Sequence, residues 1–222
     1  ACCHVEVARL LLDKGAELDR ADEHGRTPLL IACQSGHVDA ARLLLDNGAD
    51  IERAATEGGT PLWTACWQGR VDAARLLLEK GAIVEAVDKY GRTALFIACQ
   101  VGQIHAARLL LEKGAEVDRA TKKGTTPLII ACQNGHVDTA RLLLDKGAEV
   151  DRAEKQGATP LYIACRKGHV DAARLLLDKG AEVDRAKKDG WTPLSMACYM
   201  GHVDAARLLL DKGAEVDRAE KQ

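Results

Sequence analysis

The stretch E-K-Q-G-A-T-P-L-Y-I-A-C-R-K-G-H-V-D-A-A-R-L-L-L-D-K-G-A-E-V-D-R-A, from Glu154 to Ala186, decides the fold, because the rest of the chain is copies of it. Gly25, Gly58, Gly91, Gly124, Gly157 and Gly190 each open a G-x-T-[PA]-L block, at a spacing of 33 residues. A fixed period of this length is the mark of a solenoid built from stacked supersecondary units. Within the unit, Thr159 before Pro160 reads as a helix start. The hydroxyl can accept from an orphan backbone N–H, and proline loses nothing at the first helical position. Leu161, Ala164 and Cys165 then share one helical stripe. Gly168 suits the left-handed residue that stops a helix. A second helix follows, with Asp171 in its first turn, where a negative charge suits the dipole. Val170, Ala173, Leu176 and Leu177 are its expected apolar face, and Gly180 ends it. Ala181–Gly190 reads as a polar, extended connection with a turn. Helices this short bury no core alone and must stack on neighbours.

The pattern resembles the ankyrin repeat. The family motif T-P-L-H-x-A is met at Thr27–Ala32, Thr60–Ala65, Thr126–Ala131, Thr159–Ala164 and Thr192–Ala197, except at the histidine. Leu30, Trp63, Ile129, Tyr162 and Ser195 stand there instead, and the third copy has Ala94 for the proline and Phe96 in the histidine slot. The resemblance covers nearly the whole chain. It implies an all-α solenoid of helix-turn-helix repeats joined by extended loops with β-turn tips. The expected boundaries are a partial repeat at 1–21, repeats at 22–54, 55–87, 88–120, 121–153, 154–186 and 187–219, and the start of a further repeat at 220–222. Ala1–Cys3 are expected to be irregular, since Cys3 replaces the glycine of the other copies. Neither end carries a polar capping repeat, so the chain reads as a segment of a longer array or as one whose ends are covered. Its first residue is not Met, which points to processing or trimming.

The net charge of −2 carries no field that favours nucleic acid. No apolar run reaches the length of a membrane span, and nothing resembles a signal peptide. Cys33, Cys66, Cys99, Cys132, Cys165 and Cys198 occupy one column. Equivalent points on stacked helices lie roughly 8–10 Å apart, and a disulfide needs Cα atoms within about 7 Å. The column therefore reads as small buried hydrophobes, and reduced thiols point to an intracellular, cytoplasmic setting.

No catalytic constellation stands out. The C-x-x-x-H pairs at Cys33/His37, Cys132/His136, Cys165/His169 and Cys198/His202 each span a helix-ending glycine, and the next pair lies a repeat away. A metal site needs about four ligands around one ion. Arg70 and Gln103 replace the histidine in the second and third copies. The glycines come singly, not as a phosphate loop. No metal, cofactor or enzymatic activity is expected. The Asp-Arg pairs, such as Asp151-Arg152 and Asp184-Arg185, read as a solvated, self-neutralising edge.

Comparing copies separates a constant set of positions from a free one. His169–Ala186 and His202–Ala219 are identical. The free positions flank the anchor glycine, follow the Ala-Cys pair of the first helix, or fill the histidine slot. All three tryptophans, all three tyrosines and the one phenylalanine fall there. Large aromatics are the residue type that anchors interfaces. Trp67, Tyr90, Trp191 and Tyr199 are the main expected anchors. Trp63 and Tyr162 stand in a half-buried slot, where packing explains them about as well. The cations Arg92, Lys122, Lys123, Lys155, Arg166 and Lys188 complete the expected partner-binding set. Charge in these columns is graded, with Asp22, Glu23 and Glu57 making the first copies mildly acidic and the rest basic.

In the ankyrin family, loop tips and first helices line a concave groove that grips a partner protein. The resemblance therefore implies a non-catalytic scaffold for a protein or extended peptide, acidic-rich and with apolar anchors. Nucleic acid and membrane are not expected partners. The chain is expected as a monomer, or stacked end to end through its uncapped repeats. Two alternatives are an engineered ankyrin-scaffold binder, and a spacer or targeting segment of a larger multi-repeat protein.

Overall fold

The computed structural model describes residues 2–216. Thirteen helices run through them. The first is α1 (Cys2–Asp13). Three pairs follow: α2 (Pro28–Ser35) with α3 (Val38–Asp46), α4 (Pro61–Trp67) with α5 (Val71–Glu79), and α6 (Ala94–Gln100) with α7 (Ile104–Glu112). Three more complete the series: α8 (Pro127–Gln133) with α9 (Val137–Asp145), α10 (Pro160–Lys167) with α11 (Val170–Asp178), and α12 (Pro193–Tyr199) with α13 (Val203–Asp211). No strand occurs among the described residues.

Each first helix starts as its residues require. The hydroxyls of Thr27, Thr60, Thr93, Thr126, Thr159 and Thr192 accept from the backbone N–H three residues on, at 3.1–3.2 Å. Thr93 does so although Ala94 follows it, so the threonine, not the proline, sets the start. In the last copy Ser195 answers from the histidine slot, its Oγ accepting from Thr192 N at 2.9 Å. Gly168 closes α10 in the left-handed region, with φ at 71°. A side chain there would be strained, and its Cβ would also meet the ring of His202 at 2.7 Å.

The chain forms two compact units, Ala1–Ala98 with His105–Glu116, and Cys99–Ile104 with Val117–Gln222. In the first, α1 packs on α3, α2 on α3 and α4, and α5 on α3 and α4. In the second, α10 packs on α8, α11 and α12, while α11 packs on α9 and α13. The stripe Leu161, Ala164 and Cys165 is buried, as expected. The buried face of α11 is Ala172, Ala173, Leu175 and Leu176, with Val170 and Leu177 only half covered. This face turns about one residue from the expected one, because two neighbours flank the helix and both demand contact.

Two ladders join one copy to the next. In the first, a loop carboxylate accepts from a backbone N–H 31 residues on: Asp19 from Asp50, Glu52 from Ile83, Glu85 from Glu116, Asp118 from Glu149, Asp151 from Glu182 and Asp184 from Glu215. In the second, a histidine ring reaches back 36 residues to the end of a first helix. His136 Nε2 bonds Gln100 O, His169 bonds Gln133 O and His202 bonds Arg166 O, at 3.1–3.2 Å. Arg70 Nε donates to Gln34 O at 3.3 Å and so takes the histidine's part in the second copy. The aspartates of the Asp-Arg pairs are thus junction acceptors, not members of a self-neutralising edge. The arginines turn to other acids: Arg152 to Glu149 and Arg185 to Glu182. Lys80, Lys179 and Lys212 also bridge copies, to Asp46, Asp145 and Asp178, at 2.6–2.8 Å. Exposed pairs of this kind contribute about 0–1 kcal/mol each.

Two expectations are corrected. Cys2 and Cys3 belong to α1. The glycine of that column ends a first helix, whereas Cys3 lies within α1 and needs no left-handed conformation. Cys198 is exposed, whereas Cys33, Cys66, Cys99, Cys132 and Cys165 are buried. Its column faces the following repeat, and no described helix packs upon it. The expected further repeat at 220–222 lies outside the described residues, as does Ala1.

Burial raises the carboxyl pKa of Asp118 and Asp151 above the ordinary 3.8. A raised folded-state value contributes stability that is full below the unfolded pKa and lost as pH rises through the folded one. Asp151→Ala removes the acceptor of Glu182 N–H and is expected to cost about 1–3 kcal/mol. Asp151→Asn keeps an acceptor without the buried charge. Urea unfolding should show Asp151→Asn losing less than half as much at neutral pH. Relative to the parent it should fare worse as pH falls toward 3.8.

Candidate functional site

The free columns are the tips between copies and the outer faces of the first helices. Each tip is a tight turn. In the fifth copy Gly157 N donates to Glu154 O at 2.8 Å and Glu154 N to Ala158 O at 3.0 Å. Gly157 has φ of 89°, and the next tip's backbone approaches so closely that a Cβ would lie 2.9 Å from Lys188 N. Lys188 N donates to Gln156 O at 3.2 Å. Successive tips are thereby held edge to edge, which sets the spacing of the side chains they display.

In the first unit, Trp63 and Trp67 stand four residues apart on α4 and so share a face. Their rings meet edge to face, with centroids 5.2 Å apart and planes at 75°. Trp67 is 48% exposed and Tyr90 is 51% exposed. The next tip supplies Arg92, whose guanidinium lies 5.5 Å from the Trp63 ring and 4.9 Å from that of Tyr90. Asp88, itself buried, holds Arg92 Nε at 2.6 Å. A cleft of about 220 Å³ opens here, lined by Arg26, Leu30, Gln34, Trp63, Trp67 and Arg92 among others. Trp63 Nε1 is shut off from solvent and has no acceptor.

In the second unit, Trp191 and Tyr199 form a matching pair, 5.3 Å apart at 69°. Tyr199 is 73% exposed. Trp191 is half-buried and packs, with Met196, on a core of Ile129, Ala158, Tyr162 and Ile163. Tyr162 is only 1% exposed, which corrects the expectation that it contacts a partner. It completes the core between neighbouring first helices, and Lys187 caps the ring at 5.9 Å; Phe96 is buried as well. A cleft of about 250 Å³ lies beside it, bordered by Lys123, Gln133, Gln156 and Arg166.

The charges differ between the units. In the first, Asp22 binds Arg26 at 2.8 Å, and Glu57 pairs with Lys89. The hydrogen bonds from Arg26 hold the Asp22 carboxyl down at about 2. Of the acids expected to make this end acidic, Asp22 and Glu57 are thus paired with cations, while Glu23 is exposed beside His24. In the second, Lys187 is taken by Asp189 at 2.6 Å. Lys123, Lys155 and Lys188 are exposed and make no ion pair among the described residues, and the same holds for half-buried Arg166. Lys122 is exposed and already has a partner.

The cysteines and histidines have separate structural jobs. Burial pushes the thiols of Cys33, Cys66, Cys132 and Cys165 up to about 12 and raises that of Cys99 further. Such thiols are poor nucleophiles and poor ligands. The rings of His136, His169 and His202 are engaged at the junctions. No three of the described His, Cys, Asp and Glu side chains converge as a metal site would require. Sequence reasoning missed the junction role of the histidines. The signal was present in Arg70, a second long donor standing in the same column.

The family model for ankyrin repeats matches residues 1–55, 52–121, 83–154, 115–187 and 151–220. Among solved structures, the human ASB11 ankyrin repeat domain is similar with a TM-score of 0.85 and 28% identity, covering 96% of this chain and 98% of that one. No curated protein matches by sequence.

Thiol exposure is directly measurable. With Cys2 and Cys3 changed to serine, one thiol, Cys198, should react promptly with a disulfide reagent in the native protein. The other five should react only on unfolding. Prompt reaction of Cys66 or Cys132 would contradict their burial.

Proposed function

The chain belongs to the ankyrin-repeat family, and from that premise we propose that it is a non-catalytic scaffold whose first-helix and tip surfaces bind a partner protein or extended peptide. Ankyrin repeats are in general protein–protein interaction modules. The observation that carries the reading is the division of labour between columns. Positions constant from copy to copy build helices, cores and junctions. Most of the aromatic exposure, and the unpaired cations beside it, fall in the variable columns. We keep the repeat boundaries 22–54 through 187–219 as proposed.

The basic tips of the second unit favour an acidic segment, with Tyr199 and Trp191 meeting its apolar residues. No described helix is long and apolar enough to cross a membrane. The five buried thiols suit a reducing compartment, and we place the protein inside the cell. The last helix pair exposes Val203 and Leu210, the apolar surface through which end-to-end stacking would run.

Peptides selected from a random display library against the intact chain test this reading. They should be enriched in Asp and Glu next to apolar residues. Tyr199→Ala should weaken them by roughly 2 kcal/mol, as loss of an anchor does. Joint change of Lys123, Lys155 and Lys188 to Glu should mainly slow association and reduce its salt dependence. Failure to select any binder, or full affinity after alanine replacement of Trp67, Tyr90, Trp191 and Tyr199 together, would refute it.

A further inference from the structure

The Trp63–Trp67 cleft of the first unit differs in chemistry from the basic surface of the second. Building on the scaffold reading above, we propose that this cleft receives a proline-containing, extended stretch of the partner polypeptide. Three observations converge on that ligand.

The first is shape. Two indoles at 75° form a corner, and Trp67 presents exposed ring at its mouth. Leu30 lines the space, and so does Arg92, which Asp88 holds in place. A rigid, compact pyrrolidine ring fits an aromatic corner, and proline-rich segments in the preformed polyproline II conformation dock on aromatic-lined grooves.

The second is charge. Every ion around the cleft has a partner: Arg26 with Asp22, Arg92 with Asp88, and Lys89 with Glu57. An acidic side chain therefore finds no spare cation. A cationic one would enter between two guanidinium groups. A neutral residue is what remains.

The third is hydrogen bonding. Trp63 Nε1–H is desolvated and lacks an acceptor. A buried donor without a partner is rare and costly. That donor is turned away from the open cleft, so a carbonyl of the entering segment is not bound by it and stays solvated. Residues in polyproline II geometry present solvated carbonyls and make no hydrogen bonds among themselves, so none is given up on binding. Proline has no N–H that the cleft would need to match. Its prior rigidity also lowers the ordering cost of association.

The chain has three tryptophans, so three indole N–H correlations report the test by NMR. They are assigned with Trp63→Phe, Trp67→Phe and Trp191→Phe. The probe is blocked tetraproline, with blocked tetra-alanine and blocked trimethyl-lysine as comparisons. Tetraproline should move the Trp63 and Trp67 signals saturably and leave Trp191 in place. Trp67→Ala should weaken the response of Trp63 at least about tenfold. The proposal is overturned if tetraproline moves neither signal, if it moves Trp191 equally, or if tetra-alanine or trimethyl-lysine saturates at the same or lower concentration. This readout needs no partner protein and uses no residue of the second unit. Its failure leaves the scaffold reading standing, and failure of the display experiment leaves this result intact.

Discussion

A backbone amide that finds its acceptor in the preceding copy is the bond on which this fold depends. Each repeat has two helices of at most nine residues, too short to be stable alone in water. Apolar contact between copies supplies most of the stabilisation but sets no register, since dispersion and burial are non-directional. The carboxylate ladder does. One oxygen on each inter-repeat loop takes one N–H of the next, at the same offset every time. The histidine ladder fixes the other end of the repeat against the carbonyl of the previous first helix. Together they restrain two points of each unit, and Gly168 is glycine because the histidine of the following copy lies on it.

This arrangement explains why the copies are so alike in some columns and so unlike in others. A loop acid or a junction histidine is bound to two repeats at once, so altering it disturbs both. A tip residue such as the exposed Lys155 alters only what is displayed. The tip backbone itself is held by its own turn and by the neighbouring tip. The structure thus isolates side-chain identity from fold at the tips. Ala158, Asp88 and Trp191 are exceptions, the first two because they are buried and Trp191 because it is shared between surface and core. Replacement of Trp191 would lower stability as well as contact, whereas Tyr199 reports on contact more cleanly.

Much of the fold is legible in the sequence alone. The Thr-Pro starts, the glycine stops and the 33-residue period are local rules with one solution each. The histidine slot was harder, because a first-helix position can face solvent or a neighbour depending on what the next copy brings. Tyr162 is buried because Ile129, Ala158 and Ile163 surround it, whereas Trp63 opens onto a cleft beside Gly59. The acids of the Asp-Arg pairs were misjudged for a related reason. Adjacency along the chain suggested a partner that lies elsewhere in space, 31 residues away. Charge at the candidate site was legible as composition but not as free charge, since pairing is decided by which tips touch.

That last distinction governs recognition. Counting residues, the first copies look acidic and the later ones basic. With pairs formed, the first unit offers a neutral aromatic cleft and the second an exposed cationic strip. Spare lysines attract an acidic segment from a distance and are weakened by salt. A closed set of ion pairs attracts nothing at range but holds Arg92 in place as a wall. The pairing Asp88–Arg92 is also the less exposed of the two tip pairs of its kind, with the Asp88 side chain fully covered. Breaking it would leave a buried carboxylate without its cation, a costly state. The wall of the aromatic cleft is therefore among the more rigid parts of the displayed surface, and shape is the property by which that cleft discriminates.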